Sequence, residues 1–211
     1  MKHLVIIGAG DFGRELYWHA QKSVGYGTDW DLKGYLDGNT ALAHSNKLSL
    51  PFLGTDDDYM IEPDDVFSCA ICSPPIRKKV VEKFLAKGAQ FLSVIHETAI
   101  IQGSAQLGQG IILCPRTMVN DHAVVGDYVM LNELTTIGHD AVIGNYTCAM
   151  AHVDITGFVK VGCETYWGSG ARALPHSHIG DNAFVGAGSV VLKRVRENDR
   201  VFGVPAVSIN N

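Results

Sequence analysis

No stretch of this 211-residue chain is apolar for long enough to span a bilayer, and no run of lysine or arginine offers a footprint for nucleic acid or anionic lipid. Those two scarcities argue against membrane insertion and against a nucleic-acid partner, and the net charge of -5 points the same way. The start holds four apolar residues, Leu4 to Ile7, before a glycine turn, too few for a signal-peptide core, so the cytoplasm is the expected compartment. Cysteine is sparse and odd in number (Cys69, Cys72, Cys114, Cys148, Cys163), which excludes a disulfide framework. Cys69 and Cys72 have the C-x-x-C spacing but fall within an apolar strand, with no second pair for zinc, and read as core thiols. Charged residues are only 18% of the chain, while 46% hydrophobic residues and 23 glycines describe a compact soluble protein with many turns.

What the sequence has in abundance is a repeat. From Ile95 to Val191 an aliphatic residue returns at every sixth position without an insertion, and fourteen of the seventeen slots are Leu, Ile or Val. Six residues on an α-helix advance about 240°, so the slots would scatter around it. Six is a multiple of the strand period, yet typical strands hold only ~5 to 6 residues, so the chain must turn after each short strand. The residue two before the slot is mostly Ala, Ser or Thr, and the residue after it is Gly in eight hexads; both are expected to allow the turns. A β-sandwich would break so strict a register with loops of unequal length, and the repeat therefore predicts a solenoid whose slots stack into one interior.

Ahead of the repeat lies a small α/β region. Leu4 to Ile7 reads as a buried strand, Gly8-Ala9-Gly10-Asp11-Phe12-Gly13 as a turn, and Arg14 to Ser23 as a helix. Bare N–H groups at such a helix start can approach a phosphate, and Asp37, ending a strand from Lys33, stands where a ribose hydroxyl would be held. Residues 41–60 read as loop, Val66 to Cys72 as a buried strand, and Arg77 to Lys87 as an amphipathic helix with Val80, Val81, Phe84 and Leu85 inward. The room before Ile95 suffices for half a Rossmann fold, and the expected domains are 1–92 and 93–211.

These features in this order, with Tyr35-Leu36-Asp37, Ile76-Arg77-Lys78-Lys79, Val94-Ile95-His96, Ile137-Gly138-His139-Asp140, Val185 to Val191 and Gly203-Val204-Pro205-Ala206, resemble the bacterial hexapeptide-repeat sugar O-acyltransferases of the sialic-acid O-acetyltransferase type. Within them the chain is similar to N-acetyltransferases of nucleotide-linked amino sugars. The resemblance implies a left-handed parallel β-helix and a homotrimer, with acetyl-CoA as co-substrate between subunits and no metal. It further implies transfer of an acetyl group to an amine or hydroxyl of a nucleotide-linked sugar in surface glycan synthesis. His139 is then the general base and Asp140 its partner, where relatives often carry Glu; a base near neutral pKa suits deprotonation of an attacking amine. Gly8, Ala9, Gly10, Asp37, Ser73 and Asn132 form the expected substrate set, Cys148, Gly157, Ser169, Ala187 and Lys193 the expected CoA set, with Gly157 as oxyanion donor and Arg194 near the phosphates.

Other classes are weighed on particular residues. A covalent acyl-Cys148 lacks a base beside it in sequence, and a close relative would carry His there. His152 is a secondary base candidate at a different offset in the following coil. A γ-carbonic-anhydrase-type zinc site needs two histidines five residues apart, but Gly144 and Asp127 stand five after His139 and His122. A free sugar or amino-acid acceptor, a non-catalytic sugar-nucleotide-binding scaffold and a nicotinamide oxidoreductase are the remaining alternatives. The acceptor stays open, because Asp11-Phe12 in the loop and Gly38 after Asp37 depart from amino-sugar relatives.

Overall fold

The computed structural model describes residues 1–41 and 48–209. Its N-terminal part is a parallel sheet in the order β3-β2-β1-β4, formed by β1 (Lys2–Ile7), β2 (Trp30–Leu36), β3 (Phe52–Gly54) and β4 (Asp65–Cys69). Leu4, Val5, Ile6 and Ile7 are all buried, which is why that strand reads as a continuous apolar run instead of alternating. Helix α1 (Asp11–Ala20) follows the glycine turn and α2 (Pro74–Ala86) follows β4. The expected loop over 41–60 is corrected by β3, a three-residue edge strand too short to show a pattern; within it residues 42–47 lie outside the described ones.

The inward face of α2 also differs from the sequence reading. Val81 and Phe84 are buried, but Leu85 is 38% exposed, and the stripe is completed one turn earlier by Pro74 and Arg77. Arg77 is fully buried at the junction with the repeat, where Nε donates to the Tyr128 carbonyl at 2.7 Å and Nη1 donates to the Cys69 and Ile71 carbonyls. Its charge is balanced by carbonyl dipoles and pins α2 to the solenoid.

The repeat folds as a left-handed parallel β-helix with three faces. The first face runs from Val94–Ile95 to Val207–Ser208, the second from Ile100–Ile101 to Val190–Val191, and the third from Gln106–Leu107 to Arg194–Val195. Residues 18 apart pair in register, as Thr136 does with Met118 and Asp154. Slots from Leu113 to Val191 are at most 4% exposed. The three that are not Leu, Ile or Val form one compensation: Trp167 fills the interior, Ala149 pairs beside it and Ala173 is the next slot, so small residues make room for the indole. The first coil is the exception to a closed interior, with Ile101 36% exposed.

The turns are made otherwise than expected. From Gly110 to Gly188 every corner passes through one residue at positive φ three places after the slot, and eleven of these are not glycine, among them Asp140 (57°) and Phe158 (61°). Glycine after the slot serves close approach of the next coil instead: a Cβ on Gly138 would stand 2.5 Å from the Gly157 nitrogen. The small residues two before the slot are interior, and their hydroxyls satisfy corner carbonyls, as when Thr117 donates to Cys114 at 3.0 Å and Thr135 to Met150 at 2.9 Å.

The α/β part covers the first face. Leu16 and Ala20 of α1 share one apolar cluster with Val94, Ile112, Met130 and Cys148, the outward row of that face. Two contacts fix the orientation, a hydrogen bond between His19 Nε2 and Glu133 at 3.1 Å and an ion pair of Lys78 Nζ with Glu164 at 2.6 Å.

Candidate active site

Between the two parts lies a cavity of about 710 Å³. One end is the glycine turn, with Gly8, Gly10, Asp11 and Phe12; the other is Asn132 and Met150 on the solenoid corner between first and second faces. Local sequence dictates the turn. Gly8 has φ 103°, and a Cβ on Gly13 would sit 2.2 Å from the Gly8 carbonyl oxygen, so both positions require glycine. Asp37 Oδ2 accepts the Ala9 N–H at 2.7 Å and Oδ1 accepts the Asn39 N–H at 2.7 Å. The carboxylate expected on a ribose thus first ties the glycine turn to the end of β2.

Among the described residues the cavity lining includes Asp11, Glu15, Asp37 and Asp56 and no Lys, Arg or His. Asp11 pairs with Arg14 at 2.5 Å and Asp56 with Lys83 at 2.7 Å, whereas Glu15 makes no hydrogen bond or ion pair among the described residues. Burial, then Glu133, pushes the Glu15 carboxyl above its usual range, with His19 opposing. Glu15 was not singled out from sequence. Its signal is the spacing Asp11, Glu15, His19, one side of α1 running from the glycine turn to the Asn132 corner.

His139 stands on the next corner, between second and third faces, separated from Asn132 by the strand Thr136–Ile137. Asp140, at positive φ, turns its carboxylate back so that Oδ2 lies 2.9 Å from His139 Nδ1. That contact holds the proton on Nδ1 and leaves Nε2 as the acceptor. The ring lies over the α-carbon of Gly157, where a Cβ would approach Nε2 to 2.6 Å. The Gly157 N–H has no partner among the described residues. Asp121 stacks one coil earlier, where its side chain accepts from Ser104 and its carbonyl from the Asp140 N–H at 3.0 Å. The His139 side chain is 58% exposed and lines neither the Asn132 cavity nor the one beside Ser73.

The other expected residues divide. Ser169 and Ala187 are exposed on the Asn132 corner, and Lys193 is exposed on the His139 corner, where Gly157 also lies. Two residues lie apart from the Asn132 cavity. Ser73 does not join the Asn132 cavity; it is the residue ahead of α2 and lines a separate cavity with Tyr166, Phe184 and Arg200. Cys148 is fully buried beneath α1, and burial pushes its thiol up to about 12, so it neither meets an open cleft nor supplies a thiolate. His152 is exposed on the Asn132 corner, apart from His139 and Gly157. Among the described residues no group of three His, Cys, Asp or Glu side chains could hold a metal ion, and no helix is long and apolar enough to cross a membrane.

Residues 3–84 match the family described as the PglD N-terminal domain. The chain is 27% identical over 212 residues to GDP-perosamine N-acetyltransferase of Escherichia coli O157:H7, covering 94% of this chain and 81% of that one. Its fold is similar to the acetyltransferase domain of PglB from Neisseria gonorrhoeae FA1090 in complex with acetyl coenzyme A (TM-score 0.90, 25% identity, 99% of each chain). It is likewise similar to PerB from Caulobacter crescentus in complex with CoA and GDP-perosamine (TM-score 0.88, 25% identity, 100% of this chain and 98% of that one).

Proposed function

Because the chain is an acetyl-CoA-dependent sugar acetyltransferase of the hexapeptide-repeat type, we propose that its acceptor is a nucleotide-linked amino sugar held between the glycine turn and Asn132. The observation that carries this reading is the cavity, which joins a helix start suited to phosphate to a polar residue of the solenoid. Glu15 favours an amine over a hydroxyl acceptor, since a free carboxylate in that lining attracts an ammonium and offers a neutral alcohol only a hydrogen-bond acceptor.

In this reading His139 is the base and a second copy brings it to the cavity, as a homotrimer would, because the two stand on different corners of one coil. His139 Nε2 takes a proton from the amine as the nitrogen lone pair attacks the thioester carbonyl carbon. The carbonyl oxygen gains the charge, which the free Gly157 N–H meets. The C–S bond then breaks, the amide forms, and the departing CoA sulfur takes the proton from His139. Transfer is direct, since the buried Cys148 thiol cannot receive the acetyl group. Ser169, Ala187 and the Lys193 ammonium flank the path left for CoA.

The test is thiol release from acetyl-CoA over a panel of nucleotide-linked amino sugars, including GDP-perosamine, each beside its counterpart with hydroxyl in place of amine. Release with an amine-bearing member alone is the expected result. Release only with hydroxyl acceptors, or with none of the panel, would overturn the reading.

A further inference from the structure

The base corner carries an aromatic residue that the solenoid does not need. Phe158, directly after Gly157, is 45% exposed and contributes nothing to the interior, which is filled by Ile155, Val159 and Val161. It also sits at φ 61°, where a bulky side chain is disfavoured. Its ring is nevertheless held on both sides. His176, one coil further, stacks on it at 4.9 Å with 8° between planes, and His139 meets it at 5.0 Å and 90°.

The remaining contacts of His139 leave one freedom open. Asp140 holds Nδ1 and the α-carbon of Gly157 forms the floor, but both leave the exposed imidazole able to swing outward into solvent. Phe158 closes that side. An edge-to-face ring contact contributes about 0.5–1.5 kcal/mol, enough to favour one ring orientation on an exposed side chain over others of similar energy.

We propose that Phe158, braced by His176, is a positioning residue that holds the His139 ring in the orientation that presents Nε2 to the acceptor. The inference rests on His139 acting as base. Phe158→Ala should lower kcat about tenfold with the KM of each substrate changed less than about twofold. Phe158→Tyr should restore kcat to near the starting value, while Phe158→Leu, of comparable bulk without a ring, should not.

The deciding experiment is the cycle with His139→Ala, read as single-turnover acetyl transfer. If Phe158 works through His139, Phe158→Ala has no further effect once the imidazole is gone. A second tenfold loss in the His139→Ala background, or full restoration by Phe158→Leu, would overturn the proposal. Full activity in His139→Ala itself would instead overturn the base assignment, which separates the two failures.

Discussion

Two neighbouring corners of one coil are built in opposite ways. The Asn132 corner is covered by α1, tied down by His19 and Glu133, and faces a cavity lined from both parts of the chain. The His139 corner brings an imidazole, a carboxylate and an unpartnered amide together but stands open, with the His139 side chain 58% exposed. A deprotonating group left in bulk water gains little from its neighbours, because the surrounding dielectric is high. On the proposed reading, one chain holds an acceptor half and an exposed base half, and a second copy is what would complete the site.

The strongest way to break that comparison is His139→Ala. It should lower kcat by ~10² or more while leaving nucleotide-sugar binding at the other corner unchanged, as read by calorimetric titration. The division between copies is tested by mixing. Gly10 faces open space at an ordinary φ of -67°, so Gly10→Trp fills the cavity without displacing backbone. Each variant alone should be inactive, but co-refolded one to one, trimers should regain about a quarter of the working sites, those pairing an intact cavity with a neighbour's intact His139. No recovery in a mixture shown to hold mixed trimers would place both halves in one chain. Gly157→Ala comes next: its methyl would stand 2.6 Å from Nε2 and push the exposed ring out of the orientation that Phe158 favours, so kcat should fall about tenfold to a hundredfold with little change in melting temperature. On the acceptor side, Glu15→Gln should raise KM about tenfold for an amine-bearing acceptor and leave the hydroxyl counterpart within about twofold, measured by thiol release.

The two halves also differ in how far residues alone reveal them. The solenoid and the place of His139 were legible because a strict period of six converts sequence position into place: Ile137 inward puts His139 on a corner, Asp121 before it and Gly157 after it. Even there the turn chemistry was misread, since the positive φ falls on Asp140 and Phe158 and not on the glycines. The cavity was legible only in part. Gly8, Gly10 and Asn132 line it, but Glu15 and Met150 enter because α1 docks on the first face, and Ser73, ahead of α2, lines the other cavity. Docking of one part on another has no period, so nothing in the spacing of Arg77 announces that its guanidinium would reach the Tyr128 carbonyl.

The smallest expected effect concerns acid, and it separates the two parts by what they bury. The solenoid interior holds hydroxyls, Thr117, Thr135, Thr147, Thr165, Ser177 and Ser189, none of which titrates in acid. The α/β part buries Asp65, whose carboxylate accepts from Lys33 Nζ at 2.6 Å, Tyr59 Oη at 2.7 Å and the Glu62 N–H at 2.9 Å. Burial pushes this carboxyl up, but those three donors outweigh it and hold it below the usual carboxylate range. A carboxyl lowered in the folded state binds fewer protons there than in the unfolded chain, so its contribution is complete above about pH 4 and is lost as pH falls through the lowered value. Acid should therefore loosen the α/β part ahead of the β-helix. The chain carries a buried tryptophan in each, Trp30 and Trp167, so single-tryptophan variants retaining one or the other report the two transitions by fluorescence. Trp30 should respond at the higher pH, and Asp65→Asn should cost about 1–3 kcal/mol at neutral pH while removing that acid dependence. Coincident transitions would mean that the docked face, held by Arg77 and the cluster around Met130, binds the two parts into one cooperative unit.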